Sequence, residues 1–235
     1  MMPPSHLLPD GTDDLHCPSQ HGDFMFRLWA GGDLSFARRR PTNNSSTSTL
    51  YLGEQVVNAK MVDGGDKVFV KVRRTLVERP LTIALDLDAA KKLKLIDRHG
   101  ADDNDDNVRL QAVENRWLCF TRSRPAMLDN NDNELATCPS NGGGKVDFHW
   151  LVTPDAALLF RFSALTLNAH AIHLDREYTR QVYGLPDLVV HGPLTVCLMM
   201  QVLRCAQRRS ESARGLAPDH RLSIDSLSYT NIAPF

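Results

Sequence analysis

The sequence predicts an α+β fold, an antiparallel sheet wrapped around one helix. Three observations carry that expectation. The chain up to residue 125 is rich in β-branched residues alternating with polar ones. Residues 126–145 are dense in Asn, Asp and Gly. Beyond them Leu194–Leu203 is apolar nearly all round and follows Gly192 and Pro193. Alternation with period two marks strands with one buried face. An apolar run behind a Gly-Pro start marks a helix buried on most sides. Strands followed by such a helix pack as α+β.

The elements follow in order. Residues 1–23, with their Pro, Gly and Asp, are expected to be extended. "STLYLGEQVVNAKMV" (48–62) and "KVFVKVRRTLVE" (67–78) read as strands; in the second, Val68, Val70 and Val72 alternate with Phe69, Lys71 and Arg73. "MVDGGDKV" between them is a hairpin connection, with Gly64 and Gly65 supplying positive φ. "VRLQAVENRWLCFTRS" (108–123) completes the sheet. A short helix is expected at Ala89–Leu95. "ADDNDDN" (101–107) reads as a solvated loop, because the Gly and Glu of an EF-hand calcium loop are missing. Residues 126–145 are a linker separating residues 24–125 from residues 146–235. In the second part "VDFHWLVT" (146–153) reads as a short strand. "TPDAALLFRFSAL" reads as a helix with Thr153 as N-cap and Pro154 at its first position. "REYTRQVY" reads as one or two helical turns. "GPLTVCLMMQVLRCAQRR" is the long helix, with Gly192 as N-cap, and "RLSIDSLSYTNI" is a closing strand.

Composition narrows the function. With 235 residues, 42% hydrophobic and 23% charged, the chain can bury a core of its own. A net charge of -1 gives no electrostatic case for nucleic acid or anionic membrane. No apolar run reaches the roughly 20 residues of a spanning helix. Five scattered cysteines (Cys17, Cys119, Cys138, Cys197, Cys205) suggest neither a disulfide framework nor a Cys-rich zinc site, and a reducing compartment is expected. Cys197 and Cys205 serve as small apolar residues on the long helix. The first 23 residues have no Arg or Lys and carry Asp10, Asp13 and Asp14, so they read as neither a secretory signal nor a transit peptide.

The chemistry concentrates in "TLNAHAIHLD" (166–175). On the residues alone it is a metal site, a proton-transfer site or core with polar inclusions. His170, His173 and Asp175 could share a metal, but no closing ligand is evident, so no metal is expected.

"FSALTLNAHAIHLDREY" followed by "LPDLVVHGPLT" resembles the MaoC-like, R-specific enoyl-thioester hydratases. The likeness is nearest to their hydroxyacyl-thioester dehydratase type 2 and mesaconyl-CoA hydratase branch. "LLPDGTD" (7–13) and "RLWAGGDLSF" (27–36) are similar to that branch's entry segment. The resemblance implies a double hot-dog, each half a sheet around a helix, with a degenerate first half and a catalytic second half. It implies dehydration of (3R)-hydroxyacyl thioesters or hydration of trans-2-enoyl thioesters. The acyl group would ride on coenzyme A or on the phosphopantetheine of acyl carrier protein, with no other cofactor.

Such chemistry needs a base for the proton beside the carbonyl and a donor for the charge on the thioester oxygen. His173 aligns with the family's catalytic histidine and is the candidate base. Gly192, at a helix N-terminus and without a side chain, is the candidate oxyanion donor. Asn168 stands where the wider family carries a catalytic Asp; an amide accepts no proton, so its expected role is to orient water or substrate hydroxyl. His170 is expected to bond structurally. His191 is expected to order the loop and lie at the substrate. Arg161, Arg176, Arg180 and Arg204 are candidates for the carrier's phosphates, with Arg161, Arg176 and Arg180 nearest the motif. Thr166 and Tyr178 are expected to cap and pack.

Departures accompany the likeness. Ala171 and Asp187 replace the branch's usual Arg and Gly. Only "RLSIDSLSYTNIAPF" follows the long helix, so the second hot-dog is expected to be incomplete, with an open edge inviting a homodimer. Two other readings stay open: an acyl-thioester or partner-subunit binder without catalysis, and a thioesterase using Asp175. By resemblance the compartment is mitochondrial; without it, cytoplasmic.

Overall fold

The structure, a computed structural model, describes residues 4–18, 23–37, 48–80, 109–125, 148–215 and 223–231. The linker at 126–145, the helix near Ala89–Leu95 and the acidic run 101–107 lie outside the described residues.

The α+β class is as read. Five strands, β1 (Phe26–Phe36), β2 (Ser48–Val62), β3 (Lys67–Pro80), β4 (Arg109–Thr121) and β5 (Ser226–Thr230), form one sheet in the order β2-β3-β4-β1-β5. Every described pairing is antiparallel. Strands β2 and β3 pair around the expected hairpin, with Gly64 at φ 64° and Gly65 at φ 100°. Val68, Val70 and Val72 bury one face of β3, joined by Phe24, Leu118 and Phe120, while Cys17 of the N-terminal segment packs against the cluster.

Strand β1 was not singled out in the sequence as a strand, because its "AGG" interrupts the alternation. The glycines have a structural task. The register shifts between Trp29 and Gly31, a bulge at which Gly31 takes φ 146°. A Cβ on Gly31 would lie 2.6 Å from the Tyr229 carbonyl oxygen, and one on Gly32 2.3 Å from that of Asn115. The missing side chain of Gly31 lets β5 pair against β1, and that of Gly32 lets β4 pair on the other side.

Three helices follow: α1 (Ala156–Thr166), the short α2 (Arg176–Tyr178) continued by a wide turn Thr179–Tyr183, and α3 (Gly192–Arg214). Four readings change here. Residues 148–153 of the expected strand are not extended into the sheet; instead the Phe148 ring lies 6.3 Å from Trp150 and receives Arg209 of α3 at 5.1 Å. The N-cap of α1 is Asp155, not Thr153, since its carboxylate accepts the Leu158 N–H at 2.8 Å; Pro154 therefore precedes the helix. The N-cap of α3 is His191, which makes Gly192 its first helical residue. Finally, α3 is not buried on most sides: Leu194 and Val196 in its first turns are buried, whereas Cys197 is exposed and Leu203 is 41% exposed. The sheet meets the helix at its start, where Trp29 and Asn231 press on Gly192.

Candidate active site

The histidines are carried on a turn between α1 and α2. Helix α1 stops at Leu167, which takes φ 53° in the left-handed region usually given to glycine. The reversal sends Asn168 back to bond Ser163: the Asn168 N–H donates to the Ser163 carbonyl at 3.0 Å. The Asn168 side-chain oxygen accepts the His170 N–H at 3.1 Å. A 3-10 turn, Ala171–His173, then buries Ile172 and His173. Asp175 caps α2 through the Tyr178 N–H, and the fully buried Thr179 donates to the Asp175 carbonyl at 2.7 Å.

The N-terminal segment anchors this turn. The Ala171 N–H donates to the Asp10 carbonyl at 2.8 Å. Gly11, at φ 79°, lies so close that a Cβ there would sit 2.1 Å from the Ala169 oxygen. The same segment is tied to the sheet by charge. Asp13 meets Arg27 at 3.0 Å and His16 at 3.1 Å, and His16 reaches Glu54 at 3.0 Å. Hydrogen bonds to Asp13 and Glu54 raise His16 to about 9 against the cost of burial, so it is charged near neutrality. Burial pushes Asp13 up, but the bonds and charges of His16 and Arg27 outweigh it and hold the carboxyl well below its usual range.

His173 is 7% exposed. Its Nδ1 lies 2.7 Å from the Val189 carbonyl. A carbonyl only accepts, so Nδ1 carries the proton and Nε2 of the neutral ring has the free lone pair. Burial lowers His173 to about 4, opposed in part by the Val189 carbonyl, so the ring is neutral near neutrality. The Val189 N–H returns a bond to the Ile172 carbonyl at 2.9 Å, which ties the 185–191 loop to the turn.

His191 is fully buried and stacks on His173, with centroids 3.7 Å apart and planes 20° from parallel. Its Nε2 lies 2.8 Å from the Ser163 hydroxyl, and Phe162 meets its ring at 5.0 Å. Burial, then the charge a protonated His173 would bring, lowers it to about 3. His170 meets His173 edge-on at 5.5 Å and bonds Tyr183 through Nε2 at 3.1 Å, with Asp10 at 3.5 Å. Burial first, and neighbouring His173 next, hold its pKa well below the usual value. Three neutral imidazoles thus lie in series beneath the turn.

Asn168 and His173 share the turn, and Gly192 follows the ring stacked on His173. The space opened by the absent Gly192 side chain is taken by protein: a Cβ would sit 2.9 Å from the Trp29 ring and 3.0 Å from the Asn231 amide. Arg176 bonds Asp187 at 2.7 Å and Arg180 bonds the Pro186 carbonyl at 2.8 Å, so both reach the 186–187 loop, whereas Arg161 is exposed on α1. Thr166 returns its hydroxyl to the Phe162 carbonyl at 2.7 Å, and Tyr178 packs against the cluster below the turn. Among the described residues no three His, Cys, Asp or Glu side chains converge on a point fit for a metal ion.

Sequence reasoning missed Ser163, Tyr183 and Asp10. Ser163 lay unremarked within the helix pattern. Tyr183, fully buried, has its hydroxyl accept the Arg27 N–H at 3.1 Å. Asp10 and Gly11 belong to the entry segment "LLPDGTD", whose sequence alone assigns them no role.

The mesaconyl-C(4)-CoA hydratase of Chloroflexus aurantiacus is 60% identical over 53 residues, 23% of this chain and 19% of that protein. The protein of Schizosaccharomyces pombe named "Hydroxyacyl-thioester dehydratase type 2, mitochondrial" is 28% identical over 207 residues, 86% of this chain and 62% of that one. The Saccharomyces cerevisiae protein of the same name is 32% identical over 69 residues, 27% of this chain and 25% of its own. The chain thus spans less than two thirds of the length of these relatives. Among the described residues no helix is long and apolar enough to cross a membrane. The model of one family, described as "Hydroxyacyl-thioester dehydratase type 2", matches residues 1–235, and the chain belongs to that family.

Proposed function

We propose that the chain interconverts 3-hydroxyacyl and 2-enoyl thioesters, with His173 as the general base and acid. The observation that carries this reading is the bond from His173 Nδ1–H to the Val189 carbonyl. It fixes the tautomer and leaves Nε2 unprotonated, as a base must be, while burial keeps the ring neutral at working pH. In dehydration, Nε2 takes the proton from the carbon beside the thioester carbonyl, and the imidazolium returns it to the departing hydroxyl. Gly192 is the oxyanion donor in this reading. As the first residue of α3 its N–H belongs to the four that lack an intrahelical acceptor, and the helix dipole favours charge there. Asn168 commits its oxygen to His170, so its NH2 group is what orients water or substrate hydroxyl.

The carrier is coenzyme A or acyl carrier protein, with Arg176 and Arg180 beside the 186–187 loop the closer candidates for its phosphates. A double hot-dog divided at 126–145, of which the five-stranded sheet is a part, belongs to the same proposal, as does a mitochondrial compartment.

The test follows crotonyl-CoA for loss of the conjugated thioester, with free thiol measured alongside. Hydration without thiol release is expected. Thiol release would replace the reading with a thioesterase, and neither change would leave a binding protein.

A further inference from the structure

We propose that Ser163 and His191 are positioning residues for His173. Ser163 fixes the tautomer of His191, and the His191 ring fixes the plane in which His173 presents Nε2. The proposal rests on His173 being the base.

Two arrangements of the bond between Ser163 and His191 are chemically open. In one, Nε2–H donates to the Ser163 oxygen and Nδ1 is a bare lone pair. In the other, the hydroxyl donates to Nε2 and Nδ1 carries the proton. The His191 Nδ1 atom is buried and has no hydrogen-bond partner among the described residues. The serine hydroxyl proton released in the first arrangement can rotate to a carbonyl of its own helix, whereas a ring N–H at Nδ1 has a fixed direction and no acceptor there. The first arrangement is therefore the one the site holds, and Ser163, itself 4% exposed, is the group that selects it.

His191 has no freedom left once that bond is made. Its backbone caps α3 and its side chain is tied to α1. Phe162 meets its ring at 60°, and His173 lies against it at 3.7 Å. The Val189 bond sets which His173 nitrogen holds the proton, but a single hydrogen bond leaves a ring free to tilt about it. The stacked His191 removes that tilt. A misplacement of about 1 Å in a reacting group can cost about a hundredfold in rate, so fixing the plane has catalytic value.

The experiment uses the 235-residue chain labelled with 15N at histidine, as the parent and as Ser163→Ala and Ser163→Thr. In the parent, His191 is expected to show a protonated Nε2 and a bare Nδ1. Ser163→Ala should average the two tautomers and shift the His173 ring resonances. It should also lower kcat for crotonyl-CoA hydration about tenfold with KM within about twofold, the mark of a group acting on the reacting geometry rather than on binding. Ser163→Thr, which keeps the hydroxyl, should restore both readouts. Unchanged His191 and His173 resonances in Ser163→Ala would overturn the proposal, as would a kcat loss that the threonine does not relieve. If the parent hydrates no faster than His173→Ala, the base assignment falls and the catalytic half of the proposal with it. The nitrogen shifts still decide whether Ser163 fixes His191.

Discussion

Phe24, Val68, Val70, Val72, Leu118 and Phe120 form one buried cluster; Phe26, Ile172, Tyr183, Leu185 and Val189 form another. The first lies on the sheet and buries almost nothing but hydrocarbon. The second sits beneath the turn and shares its space with His170, His173 and His191, each less than a tenth exposed. The first is made by period-two strands whose register puts every second side chain on one face. The second is made by a 3-10 turn, a short helix, a wide turn and a loop, joined by hydrogen bonds at Tyr183, Thr179 and Val189. Hydrocarbon clusters stabilise without regard to protonation. A cluster threaded with imidazoles stabilises only while they stay neutral. The site thus draws part of its stability from the same neutrality that the proposed base requires.

The sharpest way to separate the two clusters is a crossed pair of variants. His173→Ala is expected to lower kcat/KM for crotonyl-CoA about a thousandfold, about 4 kcal/mol of transition-state stabilisation. Urea unfolding of the same variant should show a smaller loss than a core truncation, about 1 kcal/mol for the Val189 bond and the stack on His191. Phe120, 2% exposed, is the converse. Phe120→Ala should cost about 3 kcal/mol of stability while kcat per folded molecule stays within a few-fold. Equal activity in His173→Ala and parent would dismiss the base. A large loss of stability in that variant would erase the distinction between the clusters.

Acid should attack one cluster and spare the other. His173 is lowered to about 4 and His191 to about 3, against an ordinary histidine near 6.5. Between those values the unfolded chain binds more protons than the folded one, so stability falls as pH falls. The stability is fully present above pH 6.5 and the loss is complete below the folded values. By pH 5 the fully buried His191 alone would cost about 2 kcal/mol. Urea midpoints measured between pH 7 and pH 5 should show the fall, and His191→Phe should flatten the slope. A parent whose midpoint does not move across that range would remove the claim that the imidazoles are held neutral.

The two clusters also differ in how far the sequence disclosed them. Val68, Val70 and Val72 could be placed because alternation is a local pattern, and the hairpin at Gly64 and Gly65 closed the register. His173 could be named as a candidate base because it stood in a motif with a family behind it. Ser163 could not be: its value comes from His191, 28 residues away, through a bond between two elements. The burial of α3 was overread for the opposite reason. An apolar run shows what a helix can bury and not what is there to cover it; among the described residues the sheet meets that helix at Gly192. The caps of α1 and α3 were misplaced by two residues and one, because Thr153 and Gly192 are each plausible caps and only the backbone chooses between neighbours.

Asn168 gives the smallest and most discriminating effect. Its side-chain oxygen holds the His170 N–H, and that bond sets the approach to the turn carrying His173. Asn168→Asp keeps an acceptor of the same shape at the same atom, changes the second group from a donor to an acceptor and adds a negative charge. If the residue is an orienting group and His173 alone moves protons, the variant should retain activity within about threefold, or about 0.7 kcal/mol. Asn168→Ala, which leaves the His170 N–H without its acceptor, should lower activity more than the aspartate does. The comparison reads kcat/KM for crotonyl-CoA in both variants against the parent. An aspartate variant far faster than the parent would mean that the site is short of an acid, and that proton transfer there is shared between two groups rather than held by His173.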